Sequence, residues 1–347
     1  MAKKLVVCLD GTANQVGAHG NTNVVRLYRM LDLSDPSRQI AYYDPGVGTF
    51  SSGAAWTPLA RWMSRTAGLA FGTGLRANLG EAYTWLMQNW SPGDEVYVFG
   101  FSRGAYSARS VVGMLRSIGL MRPGSENLVP YAVSNYAAKS GERSDDDWKQ
   151  LHTFSAAFAQ QVDGRSSTPV AYLGLWDTVK AAGVLRWDIK WPWSRTIPLN
   201  VARVRHAVSI DEKRKPYREY LLALEKPERT DASEVWFAGV HSDVGGTFDD
   251  DPRLSTIALR WVAEGARDAG ILFDADRFAK ECAVTADFAT GTIHAMDRVW
   301  ALVGTRRRPI PSGARVHSAV RARMAADPTY LPRLPADATW ADPGWPG

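Results

Sequence analysis

The most informative stretch of the sequence reads VYVFGFSRGAY, from Val96 to Tyr106. Its first four residues are apolar and β-prone, which predicts a short buried strand, and a helix-like segment from Ser107 to Ile118 follows. Between them lies the pattern Gly-x-Ser-x-Gly, with Ser102 at its centre. This pattern predicts a tight strand-to-helix turn that presents a nucleophilic serine, and it needs the two glycines because strand and helix approach closely. The alternative interpretation is a serine that only caps the helix.

Apolar runs of similar length recur along the chain and end in polar or glycine-containing turns. They are Leu5–Leu9, Ile40–Tyr43, Val96–Phe99, Val170–Trp176 and Val235–Val240. Continuous apolar runs, rather than strict alternation, are typical of strands that are covered on both faces of a parallel sheet. Segments with helical spacing separate these runs, for example the one from Leu75 to Trp90. The sequence therefore predicts an α/β fold with a mostly parallel central sheet and helices on both faces.

A single domain is predicted to span residues 1–304, a length that single-sheet α/β enzymes commonly reach. Residues 121–168 are polar and helix-prone and are predicted to be a helical insertion. Residues 183–200 combine tryptophans, prolines and basic residues in an irregular pattern that predicts a lid rather than a core element. Residues 305–347 are rich in Arg and Pro and are predicted to wrap the surface as a C-terminal tail.

The composition argues against several classes of protein. Hydrophobic residues make up 45% of the 347 residues and charged residues 22%, which is typical of a globular chain with a large core. The 41 basic residues exceed the 36 acidic ones but are scattered, so no nucleic-acid partner is predicted. Only Cys8 and Cys282 occur, which predicts neither a disulfide framework nor a cysteine metal site. No apolar run has the length of a signal peptide core or a membrane span, which predicts a cytoplasmic protein whose secretion would be signal-independent.

Three polar residues at the ends of predicted strands suit acyl-transfer chemistry. Ser102 follows the third strand, Asp177 follows Val170–Trp176, and His241 follows Val235–Val240. Open α/β sheets build their sites at the carboxyl ends of strands, and the chain order serine, acid, histidine is the one that α/β-hydrolases use. We therefore predict Ser102 as the nucleophile, His241 as the general base and Asp177 as the acid that orients the imidazole.

Other residues compete for two of these roles. His317 and His206 are alternative bases, and His317 could reach the site only if the tail folds back over it. Asp243 is the alternative acid, although a residue so close to its own histidine would need an unusual turn. Asp177 could also be a simple turn or helix-capping residue.

The first predicted strand is followed by Asp10, Gly11 and Thr12. An Asp-Gly-Thr sequence after a strand also occurs in Mg²⁺-dependent phosphatases, which carry a nucleophilic aspartate two residues earlier, where this chain has Cys8. We predict instead that Gly11 and Thr12, together with the backbone N–H of Arg103, form an oxyanion hole. The alternative is a structural glycine turn.

Three tryptophans cluster among prolines and basic residues in the predicted lid, namely Trp187, Trp191 and Trp193. Tryptophan favours boundaries between apolar and polar surroundings, and neighbouring Arg and Lys side chains suit anionic head groups. We predict that these rings form a lid or an acyl-binding wall. The alternative is a loop whose rings are buried against the domain.

Taken together, these segments resemble the catalytic domain of the type VI secretion phospholipase effectors and their relatives. The matching motifs are LDGTAN (Leu9–Asn14), YDPGVGT (Tyr43–Thr49), GDE (Gly93–Glu95), GFSRGA (Gly100–Ala105), LGLWDTV (Leu173–Val179), HAVSIDEKR (His206–Arg214) and VWFAGVHSDVGG (Val235–Gly246). They occur in the order of the family, from residue 5 to about residue 250. The resemblance implies an α/β-hydrolase fold and hydrolysis of esters by a serine.

The predicted function is that of a serine esterase or lipase that works through an acyl-enzyme, with phospholipids among the candidate substrates. Its predicted partners are small-molecule or lipid esters and, at the periphery, a membrane surface. Neither a cofactor nor a metal ion is expected. The alternatives are a non-catalytic interaction domain on the same fold and a metal-dependent phosphatase.

Overall fold

The computed structural model describes residues 2–11, 17, 20–46, 68–137, 143–179, 191–295 and 304–345. Its strands are β1 Lys4–Leu9, β2 Gln39–Asp44, β3 Glu95–Phe101, β4 Val170–Trp176, β5 Thr196–Ile197, β6 Val201–Ser209, β7 Ala223–Leu224, β8 Asp231–Phe237, β9 Arg315–His317 and β10 Thr339–Ala341. The main sheet has the order β10-β9-β8-β6-β4-β3-β1-β2, with parallel pairing throughout, while β5 and β7 pair separately. The predicted parallel sheet is thereby confirmed.

The helices that the described residues form pack on both faces of this sheet. They are α1 Asn23–Met30, α2 Gly68–Asn89, α3 Arg103–Ser117, α4 Val129–Ala137, α5 Asp145–Phe158, α6 His241–Gly245, α7 Arg253–Asp268, α8 Ala275–Glu281 and α9 Ser318–Ala326. Helices α4 and α5 lie in the stretch predicted as a helical insertion. The capping Ser144 starts α5, because its backbone N–H donates to the Asp147 carboxylate and its hydroxyl accepts from the Asp147 N–H.

Strand β1 shows why the apolar runs are continuous. Leu5, Val7 and Leu9 pack into the core that α2 and α3 cover, whereas Val6 and Cys8 pack into the core that α1 and α7 cover. Successive side chains of a strand point to opposite faces of the sheet, so a strand with helices on both sides needs apolar residues at every position.

The strand order also positions the site. Strands β2 and β3 lie on opposite sides of β1, so the connection from β1 to β2 and the connection from β2 to β3 run in opposite directions along the sheet. A crevice opens at such a switch point, outside the carboxyl ends of the strands. Strands β4, β6 and β8 follow β3 in space, which places the residues after β3, β4, β6 and β8 along one edge.

Strand β6, in the middle of the main sheet, was missed at the level of sequence. Strand β6 begins Val201-Ala202-Arg203-Val204-Arg205, where two arginines interrupt the apolar run. The guanidinium of Arg205 lies over the Trp261 ring and donates to the Trp261 carbonyl oxygen. Arginines fit in this strand because their long apolar stems can lie along the domain while the head group finds a partner. They interrupt the apolar run, and the sequence pattern therefore did not indicate a strand.

The segment predicted as a surface tail differs from that expectation. Strands β9 and β10 extend the main sheet, and α9 packs beside them. Val316 and Ala341 are almost fully buried. Each of these strands has only three residues, which is too short to produce a periodic pattern among the many arginines and prolines around it.

Candidate active site

Ser102 lies at the sharp turn between β3 and α3. Its backbone has φ 59° and ψ −122°, a strained conformation for a residue with a side chain. A Cβ atom at Gly100 would lie 2.5 Å from the carbonyl oxygen of Gly104, and one at Gly104 would lie 2.5 Å from that of Asp10. Only glycines therefore fit at these two positions, for the reason on which the elbow prediction rested.

The hydroxyl of Ser102 points to His241 and not to the helix it precedes. Its Oγ lies 2.8 Å from the Nε2 of His241, and its side chain makes no capping hydrogen bond. His241 is the first residue of α6, shortly after β8 ends. The rings of Phe101 and Tyr217 contact the imidazole, with centroids 4.6 and 4.8 Å away. These two aromatic rings thus hold the imidazole in one orientation.

Asp177 completes a hydrogen-bonded chain. It follows β4 with a positive φ of 40°, and its Oδ2 lies 2.5 Å from the Nδ1 of His241. Its Oδ1 accepts the backbone N–H of Ser209, which ends β6, at 2.8 Å. An ionised carboxylate can only accept, so Nδ1 carries the proton of a neutral imidazole and Nε2 accepts from the Ser102 hydroxyl.

The protonation states follow from burial and charge. Burial favours the neutral form of Asp177, but the Arg308 charge and the hydrogen bond from His241 outweigh it and lower the pKa of this carboxyl well below its usual range. Burial also lowers the pKa of His241 from its ordinary value, more than the neighbouring Asp177 raises it. At neutral pH the site therefore contains an ionised carboxylate and a neutral imidazole, as a general base requires.

Arg308 was missed at the level of sequence. It comes from the stretch predicted as a tail, and its guanidinium forms two hydrogen bonds with Asp177, from Nη1 to Oδ1 at 2.5 Å and from Nη2 to Oδ2 at 2.9 Å. Nothing in the local sequence separates Arg308 from its neighbours Arg306 and Arg307 or signals such a contact, because its partner lies 131 residues away in the chain.

A second ion pair flanks the imidazole. Glu212 accepts the backbone N–H of His241 at 3.2 Å and binds the guanidinium of Arg214 at 2.7 Å. Arg214 in turn lies over the Tyr217 ring, 3.8 Å from its centroid. Glu212 and Arg214 were not among the predicted site residues. They belong to the motif HAVSIDEKR, and this motif is the sequence feature that could have indicated them.

The alternative bases have other partners. His317 accepts the Ala319 N–H through Nδ1 and thereby caps α9, and its ring stacks on Phe237. The Nδ1 of His206 lies 2.8 Å from the Glu234 carboxylate, and its Nε2 accepts the N–H of Thr178. Neither imidazole is hydrogen-bonded to Ser102.

The alternative acid also lies apart from this chain of hydrogen bonds. Asp243 accepts the backbone N–H of Val240, and its Oδ1 lies 2.5 Å from the Nδ1 of His294. It therefore caps the short helix that begins with His241 and does not contact the His241 ring through a hydrogen bond.

The loop after β1 lies against the elbow, but its donor is already engaged. The N–H of Gly11 donates to the carboxylate of Asp10 at 2.6 Å, and this carboxylate also accepts the hydroxyls of Thr22 and Tyr43. In this arrangement the N–H of Gly11 points to Asp10, so it does not serve as the predicted oxyanion donor. Arg103 is the first residue of α3, as the prediction requires. Thr12 lies outside the described residues.

The predicted lid is described only from residue 191 onward, and Trp187 lies outside the described residues. Trp191 is only 5% exposed and packs among the Tyr106 and Tyr136 rings. The Nε1 of Trp193 donates to the Ser117 hydroxyl near the end of α3. Trp191 is therefore a core residue and not part of a lid or acyl-binding wall, as in the alternative of a buried loop, because the aromatic side chains of α3 and α4 offer it an apolar pocket.

The described ranges contain neither a candidate membrane-spanning helix nor a candidate metal-binding cluster. No helix found in them is long and apolar enough to cross a membrane. Within the same ranges, no group of three or more His, Cys, Asp or Glu residues is arranged to hold a metal ion.

The family described as "T6SS, Phospholipase effector Tle1-like, catalytic domain" matches residues 3–265. The chain belongs to this family. The resemblance predicted from the sequence motifs is thereby confirmed, and the family is one of lipases and phospholipases. Residues 304–345, including Arg308 and the last two strands, lie beyond the part that matches.

The similar proteins cover the chain only in part. The uncharacterized protein YEL023C of Saccharomyces cerevisiae is 32% identical over 221 residues, which are 62% of this chain and 32% of that protein. The chain therefore spans about a third of the length of this curated relative. A crystal structure of an uncharacterized protein from Pseudomonas aeruginosa is similar over 83% of this chain and 50% of its own, with 20% identity and a TM-score of 0.48. The structure of the Tle1 effector bound to the VgrG spike of the type VI secretion system is similar over 82% and 77%, with 14% identity and a TM-score of 0.45.

Proposed function

We propose that the protein is a serine hydrolase that cleaves carboxylic esters, with Ser102 as nucleophile, His241 as general base and Asp177 as the orienting acid. The observation that carries this proposal is the continuous chain of hydrogen bonds from Ser102 Oγ to His241 Nε2 and from His241 Nδ1 to Asp177 Oδ2. Membership in a phospholipase family supports ester hydrolysis as the reaction.

The reaction proceeds in two halves. As the Oγ of Ser102 attacks the ester carbonyl carbon, its proton passes to Nε2 of His241 and the carbonyl electrons move onto the oxygen. Collapse of this tetrahedral intermediate expels the alcohol, which takes the proton from Nε2 and leaves an acyl-enzyme. Water then attacks the acyl carbon with the same base, and the carboxylic acid leaves as Ser102 regains its proton.

The negative charge on the tetrahedral oxygen needs stabilisation at the start of α3. The N-terminus of this 15-residue helix carries a partial positive charge, and the residue after the nucleophile is the usual backbone donor in an elbow. We therefore assign the first oxyanion donor to the N–H of Arg103. A second donor from Gly11 would require this N–H to turn from Asp10 to the substrate.

The proposed substrates are lipid esters, since the family is named for phospholipases. Peripheral contact with a membrane surface belongs to the same proposal. Secretion without a signal peptide stays a prediction.

Ser102→Ala is the direct test, with Ser110→Ala as the matched control. Ser110 is a fully buried serine of α3, the helix that Ser102 precedes, and its hydroxyl donates to the Tyr106 carbonyl oxygen, away from His241. We expect Ser102→Ala to lower kcat on a short p-nitrophenyl ester by a factor of ~10³ or more and to abolish labelling by a fluorophosphonate probe, with an unchanged melting temperature. Ser110→Ala should retain the wild-type kcat and the labelling by the probe.

Three results would refute the proposal. Wild-type turnover by Ser102→Ala would show that another residue is the nucleophile. Wild-type protein that neither hydrolyses esters nor reacts with the probe would favour the non-catalytic interaction domain instead. Activity on phosphomonoesters that a chelator removes would favour the phosphatase.

A further inference from the structure

Arg308 is buried against the carboxylate that orients the proposed base. Its side chain is 2% exposed, and that of Asp177 is 1% exposed. The planar guanidinium matches the carboxylate with two parallel N–H donors, a geometry that fixes the plane of the carboxylate as well as its charge. The contact therefore determines which way the Asp177 Oδ2 points towards His241.

Further hydrogen bonds from the two Nη atoms hold the guanidinium of Arg308 in place. Its Nη1 also donates to the hydroxyl of Ser209 at 2.7 Å, and its Nη2 donates to the carbonyl oxygen of Tyr217 at 2.6 Å. Its Nε lies 4.0 Å from the Glu219 carboxylate. Arg308 is thus tied to the end of β6 and to the turn whose Tyr217 ring contacts His241, so it cannot move away from Asp177 without breaking several contacts.

The charges around the imidazole are balanced in pairs. The titratable and charged groups that face His241 or its acid are Ser102 after β3, Asp177 after β4, His206 within β6, Glu212, Arg214 and Tyr217 after β6, and Arg308 from the C-terminal segment. Glu219, also after β6, faces Arg308. Asp243, on the same short helix as His241, pairs with His294 instead. Asp177 with Arg308, and Glu212 with Arg214, form two pairs of opposite charge.

This balance has a chemical consequence. An unpaired carboxylate next to an imidazole stabilises the imidazolium and raises its pKa, whereas a carboxylate that shares its charge with a guanidinium does so less. Removing the guanidinium leaves a buried, uncompensated carboxylate, which then favours a protonated imidazole. A general base that is already protonated cannot accept the proton of a serine.

We propose that Arg308 is a positioning residue for the catalytic acid, which fixes the plane of the Asp177 carboxylate and offsets its charge, so that His241 remains a neutral base at mildly acidic pH. The proposal rests on the proposed function and extends it to a residue outside the part of the chain that matches the family, residues 3–265. Through Arg308, the C-terminal segment thereby supports the proposed active site as well as the sheet.

The test is the pH profile of kcat/KM for Arg308→Gln and Arg308→Lys, measured on a soluble ester from pH 4.5 to 9. Arg308→Gln removes the charge, and we expect its acid limb to move up by about one pH unit, with a plateau lowered by at least tenfold. Arg308→Lys keeps the charge but loses the planar fork, so we expect a lowered plateau and an acid limb close to that of the wild type.

Arg323→Gln is the matched control. Counted over the whole residue, Arg323 and Arg308 are both 8% exposed, and both come from the C-terminal segment. The guanidinium of Arg323 donates instead to the carbonyl oxygens of Ala289 and Gly291. We expect this variant to lower the melting temperature and to leave the pH profile unchanged.

Each outcome decides the question. An acid limb of Arg308→Gln that coincides with the wild type, at any plateau height, would reduce Arg308 to a structural tie and overturn the proposal. If Arg308→Gln does not fold, Arg308→Lys decides alone, since a wild-type plateau in that variant would show that the fork is dispensable. Failure of the proposed function is distinguishable, because it would appear as undiminished activity of Ser102→Ala, a variant that leaves Arg308 untouched.

Discussion

Replacing Gly104 with alanine is expected to impair the site while leaving the fold intact. A Cβ at this position would lie 2.5 Å from the carbonyl oxygen of Asp10 and nearer still to that of Leu9, whereas real Cβ atoms essentially never come closer than 3.0 Å. Backbone atoms cannot rotate out of the way as a flexible side chain can. Strand β1 and helix α3 must therefore separate by more than about 0.5 Å, which moves Ser102 relative to His241.

The magnitudes follow from that displacement. Overpacking of this kind costs about 1–3 kcal/mol of unfolding free energy. A misplacement of about 1 Å at a reacting group can cost ~10²-fold in rate, so a shift of this size should lower kcat/KM by roughly 10- to 100-fold. The assay is hydrolysis of a short p-nitrophenyl ester at neutral pH, with urea unfolding of the same preparations.

Gly80→Ala is the matched control for this experiment. A Cβ at Gly80 would meet only the side chains of Val129 and Val133, at 3.7 and 3.8 Å, which is ordinary van der Waals contact. Because Gly80 lies inside α2, alanine should leave kcat/KM unchanged and raise the unfolding free energy by up to ~1 kcal/mol. If Gly104→Ala retained wild-type activity and stability, the close approach of β1 and α3 on which the elbow geometry rests would be refuted.

Three other outcomes can be measured on the same protein. Because the neutral imidazole is the base, kcat/KM should decrease at acid pH only as the pH drops through the pKa of His241, which lies below its ordinary value. A decrease of kcat/KM that begins above pH 6.5 would contradict this. Burial lowers the pKa of His317 to about 4, so below pH 6.5 the unfolded chain binds a proton that the folded chain does not, and stability should fall by on the order of 3 kcal/mol as the pH drops from 6.5 to 4. His317→Asn, which can still cap α9, should lack this loss in urea titrations and keep wild-type kcat/KM, whereas a large loss of activity would make His317 a functional residue. Trp191→Ala should lower the unfolding free energy by about 3–5 kcal/mol and affect short and long esters alike, and a loss confined to long-chain esters would restore the lid interpretation.

The sequence motifs anticipated the elbow and the three residues of the hydrogen-bonded chain, because each of them follows an apolar strand at a point where the local pattern is distinctive. The order along the chain also pointed to Asp177 and His241. What the pattern left open was whether His317 could replace His241 as the base, since the local sequence does not show whether the C-terminal segment folds back over the site. Their different environments come from partners far away in the chain, such as Asp177 for one and Phe237 for the other.

Local sterics explain why the stretch around Ser102 could be interpreted without a structure. The two glycines and the strained serine are required by atoms within a few residues of the turn and by a neighbouring strand that any parallel sheet supplies. Arg308 is the opposite case. Its ion pair with Asp177 exists because the chain before β9 pairs with the segment after β6, where Thr305 bridges to Arg214 and the Arg306 N–H donates to the Lys213 carbonyl oxygen. The contact therefore depends on the tertiary structure and leaves no trace in the residues around Arg308.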